Sequence, residues 1–292
     1  GTTIASKVGL GNSQTWTVGT GATLNVSGVI SDFGAARSIT KTGAGTLNLS
    51  GINTFNGGLT INQGAVNLNT VGTATSSALS GGGAITLDPT LGNVSLMFNV
   101  NGSGGQITNP INVTGATGGT VIIGNGSSAG NGGNNFVFSG PITLNGTDLQ
   151  IQANGGNNAG AVLTVSGGIT GTGNVLINGT APGDAQSYTI SGGSLNNTGT
   201  VTANTKRGGG GNQGTGTTIS AIIGANVTGL VQSSSTVLPL ILSGANTFNG
   251  PTSVLLGELR INSIKNVGAG LPNALGQPSL GNATITLGTT GP

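Results

Sequence analysis

The stretch GTLNLSGINTFNGGLTINQGAVNLN, residues 45–69, returns as PLILSGANTFNGPTSVLLGELRIN between Pro239 and Asn262. Leu47 falls on Leu240, Leu49 on Leu242, Ser50-Gly51 on Ser243-Gly244 and Asn53-Thr54-Phe55-Asn56-Gly57 on Asn246-Thr247-Phe248-Asn249-Gly250. Gly64 falls on Gly257, and every pair keeps the same offset without a gap. This is an internal duplication. It constrains the fold strongly, because a unit this short cannot bury its apolar face alone and must stack on neighbours.

The alternation inside the unit says what is stacked. Leu47 and Leu49, Leu59 and Ile61, then Val66 and Leu68 place apolar side chains on one face of short strands, with Thr or Asn opposite. The copy does the same with Leu240 and Leu242, Val254, and Leu259 and Ile261. Ser-Gly, Asn-Gly, Gln-Gly and Gly-Gly steps separate the strands, where Gly and Asn accept positive φ at low cost. Similar strands are predicted over 23–31, 84–88, 94–100, 120–123, 135–153, 161–169 and 283–288. Residues 6–16 and 266–283 are the least strand-like, and the latter admits one helical turn. The expectation is an all-β protein, a β-solenoid forming one elongated domain over 1–292. With coils of ~22 residues it would have roughly 13 coils and a length on the order of 60 Å.

Composition narrows the partners. Gly supplies 60 of 292 residues, and charged residues only 4% against about a quarter in ordinary domains. Yet 34% of residues are hydrophobic, which separates the chain from apolar-poor disordered sequences. Seven basic residues, Lys7, Arg37, Lys41, Lys206, Arg207, Arg260 and Lys265, are scattered apart from one pair, so no nucleic-acid partner is expected. No apolar run reaches the ~18 residues of a membrane span. Cysteine is absent, which fits export, and the start at Gly1 reads as a mature product or an excised segment.

Residues Ile39 to Asn69, ITKTGAGTLNLSGINTFNGGLTINQGAVNLN, closely resemble the autotransporter-associated β-strand repeat, or passenger-associated transport repeat, of bacterial secreted passengers. Lys41, Gly43, Gly45, Leu47, Leu49, Ser50, Gly51, Asn53, Thr54, Phe55, Gly57 and Gly64 match its pattern. The second copy, within about 232–262, keeps Leu240, Leu242, Ser243, Gly244, Asn246, Thr247, Phe248, Gly250 and Gly257 but has SSSTVLPLIL in place of the Lys-x-Gly-x-Gly lead-in. Leu163 to Gly179 looks like a degenerate partial copy. The resemblance implies a right-handed parallel β-helix that is extracellular or exposed at the bacterial cell surface.

Parallel β-helices also include polysaccharide-active enzymes, which need converging carboxylates or an acidic calcium cluster. Here Asp32, Asp88, Asp148, Asp184 and Glu258 lie far apart in sequence and there is no His, so no catalytic, metal or cofactor site is expected. Gly124, Asn125, Gly126, Ser127, Ser128 and Ala129 imitate a phosphate-binding G-x-G-x-x-A, but GNGGNN follows and cannot propagate the required helix. The basic pair in Asn204 to Gly214 reads as an exposed loop, with a processing site as the sharper alternative. Phe55 and Phe248 read as core stacks or turn covers. Thr-x-Thr elements raise an ice-binding alternative, but ATITLG and GLTINQ supply single elements without regular spacing across coils.

A neutral surface without reactive groups suggests a non-enzymatic structural protein, a subunit or segment of a surface fibre built from solenoids stacked end to end. Both ends are Gly/Thr-rich and unguarded by charge, which favours self-association along the axis. The alternative is a passenger acting as an adhesin toward a host or matrix surface, with a polysaccharide-active enzyme more remote.

Overall fold

A computed structural model describes residues 1–70, 79–99, 105–115, 118–126, 135–153, 161–179, 186–206, 214–234, 238–264, 272–277 and 284–288. Among them are 29 strands and one 3-10 turn, Pro89–Leu91. All the strand pairings are parallel, as a coiling chain requires, and they produce three strand-bearing faces visited in fixed order. The protein is a parallel β-solenoid.

The first face runs from Thr2–Ile4 through Thr46–Leu49 and Gly64–Leu68 to Ile285–Leu287, twelve strands in an unbroken ladder. The second face begins with the short pair Val8–Gly9 and Ile30–Ser31, passes through the bridge Asn53↔Leu79, and widens into seven strands from Gly105–Ile107 to Glu258–Ile261. The third face carries Gln14–Thr17, Ile39–Thr42, Leu59–Ile61 and their successors up to Ile222–Ile223. At the usual strand spacing, twelve levels span about 50 Å.

Coils are longer and less uniform than the sequence period suggests. On the first face the shortest register step joins Leu47 to Val66 and the longest joins Thr252 to Ile285. Much of the extra sequence joins the first face to the second, as between Leu68 and Leu79 or between Asn125 and Asn135. The stretch 6–16, read as poorly strand-like, holds Val8–Gly9 and all but the last residue of Gln14–Thr17: Gly9 lies within the first strand and Gly11 in the bend between them, while Val8 and Leu10 reach inward. The one described helical piece was not foreseen. Asp88 caps it through the Thr90 N–H, with Pro89 at its first position.

The interior is a column of aliphatic rows. Leu47, Leu49, Ile61, Leu87, Ile123, Ile151, Ile177 and Leu242 are wholly buried, and such residues stack on their counterparts one coil away. Phe98 stacks on Phe136 with centroids 4.8 Å apart and tilts against Phe138 at 5.1 Å. Such pairs add roughly 0.5–1.5 kcal/mol beyond their buried area. The single tyrosine, Tyr188, is also buried, and its hydroxyl accepts the Ala153 N–H at 3.0 Å.

Candidate functional surface

The repeat builds one coil. In the first copy Thr46–Leu49 lies on the first face, the NTFNG corner crosses the second, Leu59–Ile61 lies on the third and Gly64–Leu68 returns to the first. Leu47 then pairs with Val66 of the next coil. In the second copy Pro239–Leu242 and Glu258–Ile261 stack on each other, and Leu240 pairs with Leu259 at the same sequence separation. These strands belong to the second face, and Thr252–Leu256 between them belongs to the first. The two copies are therefore displaced by one face around the axis.

The geometry shared by the copies lies at the corner. The Asn53 Oδ1 accepts the Ile30 N–H at 2.8 Å, and the Asn246 Oδ1 accepts the Ile223 N–H at 2.8 Å. Thr54 and Thr247 donate their N–H groups back to the carbonyls of Ile30 and Ile223. The buried amide thus stands in for a ladder carbonyl where the strand bends away. Phe55 and Phe248 fill the core beneath it. Ser50 and Ser243 continue the ladder to Val26 and Ile219, while a Cβ on Gly51 or Gly244 would sit 2.5 or 2.6 Å from a carbonyl oxygen of the preceding coil. Gly64 and Gly257 start the returning strand with φ of +77° and +82°. Gly43, Gly45, Gly57 and Gly250 are also corner positions pressed against the preceding coil's backbone.

Lys41 is a buried cation. Its strand position points inward opposite Ile61, and its Nζ donates to the carbonyls of Gly43 at 2.6 Å, Gln63 at 2.9 Å and Thr42 at 3.2 Å. Burial pushes its pKa down to about 8. Where the second copy lacks this residue, Gln232 spans the same kind of gap, its amide donating to the Leu238 and Glu258 carbonyls at 3.0 Å each. Ser234 and Thr205 complete that buried network.

The four described carboxylates hold structure. Asp32 accepts N–H groups from Asn56, Gly34 and Arg37, led by Asn56 at 2.7 Å, and these hold its pKa below the usual value against the opposing effect of burial. Asp88 caps the 3-10 turn, Asp148 grips the Asn174 N–H and amide, and Glu258 pairs with Arg260 at 2.7 Å on the surface. Asp184 lies outside the described residues. Among the described residues no group of three His, Cys, Asp or Glu could hold a metal, and no helix is long and apolar enough to cross a membrane. Of the phosphate-loop lookalike, Gly124 and Asn125 belong to the strand Val121–Asn125, and Ser127 to Ala129 lie outside the described residues, as do most of the glycines after Arg207.

Three lateral features remain. A loop after Asp32 presents Phe33, 83% exposed, and contains the two described non-glycine residues at positive φ, Phe33 at 55° and Ala36 at 52°. Along the first face, grooves of about 420 and 300 Å³ run past Gln63, Asn93 and Thr120, then Asp148, Gln150 and Asn174. On the same face Asn25, Asn48 and Asn67 form an amide ladder with links of 2.7 and 3.0 Å.

The third face has a different pattern, which sequence reasoning missed. Its outward positions stack as Thr15, Thr40, Thr60, Thr86, Asn112, Thr143, Thr170 and Asn196 in continuous register. Two positions along each strand, a second file reads Thr17, Thr42, Asn62, Asp88, Thr114, Asn145, Thr172 and Thr198, kept in step by ladder bonds such as Asn62 to Lys41 and Thr114 to Leu87. The expected irregularity of Thr-x-Thr spacing across coils does not hold on this face. Uneven corners hide in sequence a register that the ladder restores.

The fold and these repeats define the class: a parallel β-solenoid carrying two passenger-associated-transport repeats, matched at residues 39–68 and 240–261. The chain is also 32% identical over 264 residues to an adhesin autotransporter, BmaC, of Brucella suis biovar 1 (strain 1330). That similarity covers 81% of this chain and 7% of the much longer relative. No solved structure matches.

Proposed function

We propose that the chain is a segment of a bacterial adhesin passenger, displayed at the cell surface or released from it, that acts by binding rather than catalysis. The observation that carries this reading is the similarity to an adhesin over most of the chain. The solenoid supports it physically: a rod about 50 Å long presents broad lateral faces of fixed spacing, with few titratable groups on them. An aromatic recognition strip is not what it offers, since Phe33 is strongly exposed, Trp16 is half-buried against the core, and Phe55, Phe98, Phe136, Phe138, Tyr188 and Phe248 are buried. Contact would rest on Phe33 and on the polar faces. Purified chain, fluorescently labelled, should bind cultured epithelial cells or an extracellular-matrix preparation saturably, and Phe33→Ala should weaken binding without changing the circular dichroism. Binding no better than that of an unrelated β-solenoid would refute the reading.

A further inference from the structure

We infer that the third face binds an ordered water lattice, crystalline ice being the solid it would hold. This goes beyond adhesion to cells or matrix and does not depend on it. Of the sixteen positions in the two files, eleven are Thr, four Asn and one, Asp88, an acid; the Asn62 Oδ1 is buried, the Asn145 amide donates to the Val113 carbonyl and Asp88 caps the 3-10 turn. The other faces are not like this: the outward row of the first face mixes Ser95, Ile122, Gln150 and Leu176, and that of the second mixes Val137, Thr164, Ile241 and Arg260.

Regularity alone would be an ornament of the fold if the hydroxyls were all used internally. Most are not. The Asn25–Asn48–Asn67 ladder consumes its own amides, and Thr17 and Thr42 share one bond at 2.8 Å. By contrast, the hydroxyls of Thr40, Thr60, Thr86, Thr143 and Thr170 have no hydrogen-bond partner among the described residues. They recur every ~4.8 Å along the axis, and the two files lie about 7 Å apart along the strand. The backbone ladder fixes their height, and β-branching restricts χ1. Each threonine adds a methyl group beside its hydroxyl, so the face orders water without dispersing it.

The chemistry of the face narrows the occupant. The two files hold no cation for an anionic polymer or lipid headgroup and no aromatic ring for a sugar to stack on, and backbone groups in the middle of the sheet are already paired. The first file is uncharged throughout and the second carries a single acid, Asp88, so the array with its two fixed repeats fits a partner that is itself neutral and periodic, and a water lattice is such a partner. Ordering water costs little per molecule when the donors are held in place.

The test uses the whole chain. Ice recrystallisation inhibition and uptake into a slowly grown ice hemisphere are measured for the native protein, for Thr60→Tyr and Thr143→Tyr on the third face, and for Gln150→Tyr on the first. Circular dichroism checks that all three retain the fold. The native protein and Gln150→Tyr should inhibit recrystallisation at the same concentration and enter the ice. The two threonine variants should need at least tenfold more protein. No inhibition by the native chain beyond that of serum albumin overturns the inference. So does equal loss in Gln150→Tyr, or Thr60-dependent binding to microcrystalline cellulose without any ice activity, which would assign the face to a glycan.

Discussion

Removing one amide at each repeat corner tests the duplicated geometry at two faces of the same rod. Asn53 is 1% exposed and Asn246 wholly buried. In Asn53→Ala the Ile30 N–H loses its acceptor inside the protein; in Asn246→Ala the Ile223 N–H loses its acceptor and the Ala274 carbonyl also loses the Asn246 Nδ2, which donates at 2.8 Å. A buried donor left unpaired costs about 1–3 kcal/mol. Because a solenoid unfolds in segments, the local assay is hydrogen exchange by mass spectrometry rather than a single melting temperature. Protection of peptides containing Ile30 should fall by about 5- to 150-fold in Asn53→Ala, and that of peptides containing Ile223 by a factor in the same range in Asn246→Ala, each with little change at the other site. Unchanged exchange at Ile30 and Ile223 would refute the claim that the side chain substitutes for a ladder carbonyl.

Other consequences are equally open to measurement. Lys41 has a folded pKa of about 8 against an ordinary value of 10.5, so between these pH values the unfolded chain binds more protons and its contribution to stability rises with pH. Urea midpoints should therefore increase from pH 8 to 10.5, and the increase should vanish in Lys41→Met. Asp32 has the same sign of slope at acid pH: its folded pKa is lowered because the charged form is held by N–H groups, its stabilisation is present above the ordinary carboxylate pKa, and it should be lost as pH falls through the folded value, an effect absent in Asp32→Asn. Gly64→Ala, with φ +77° and a carbonyl oxygen 2.4 Å from the new Cβ, should lower stability by more than the roughly 1–2 kcal/mol of a left-handed alanine. Gly257→Ala should also exceed that figure, since at φ +82° its Cβ would lie 2.8 Å from the Gln232 Nε2, a buried amide held by the Leu238 and Glu258 carbonyls. Leu47→Ala should cost about 2–5 kcal/mol by the same urea assay.

The all-β fold was legible because the pattern is local: Leu47 and Leu49, or Leu240 and Leu242, alternate with Thr, Asn or Ile at period two whatever their neighbours do. Corners were legible for the same reason, since Ser-Gly and Asn-Gly carry their own backbone preferences. What was hidden depends on register. Thr40, Thr60 and Thr86 become neighbours only because the short step from Thr40 to Thr60 and the longer one from Thr60 to Thr86 both close one coil, and no fixed period in the sequence announces that. Lys41 was recognised as part of the repeat, but a lone lysine ordinarily signals a solvated surface. Its burial follows from the carbonyls of Thr42, Gly43 and Gln63, which two successive corners bring to one point.

The displacement of the two copies by one face bears on where recognition can reside. Both copies close a coil over the same length of chain and with the same corner bond, yet one begins on the first face and the other on the second. A motif that required a particular lateral surface could not be moved a third of the way around the rod and keep its geometry. The repeated residues therefore serve closure: Asn53 and Asn246 replace a carbonyl, Phe55 and Phe248 fill the core, and Gly64 and Gly257 reverse the chain. Binding chemistry must come from positions the motif leaves free. On the third face those positions come from coils of unequal length, and only stacking brings their threonines into line.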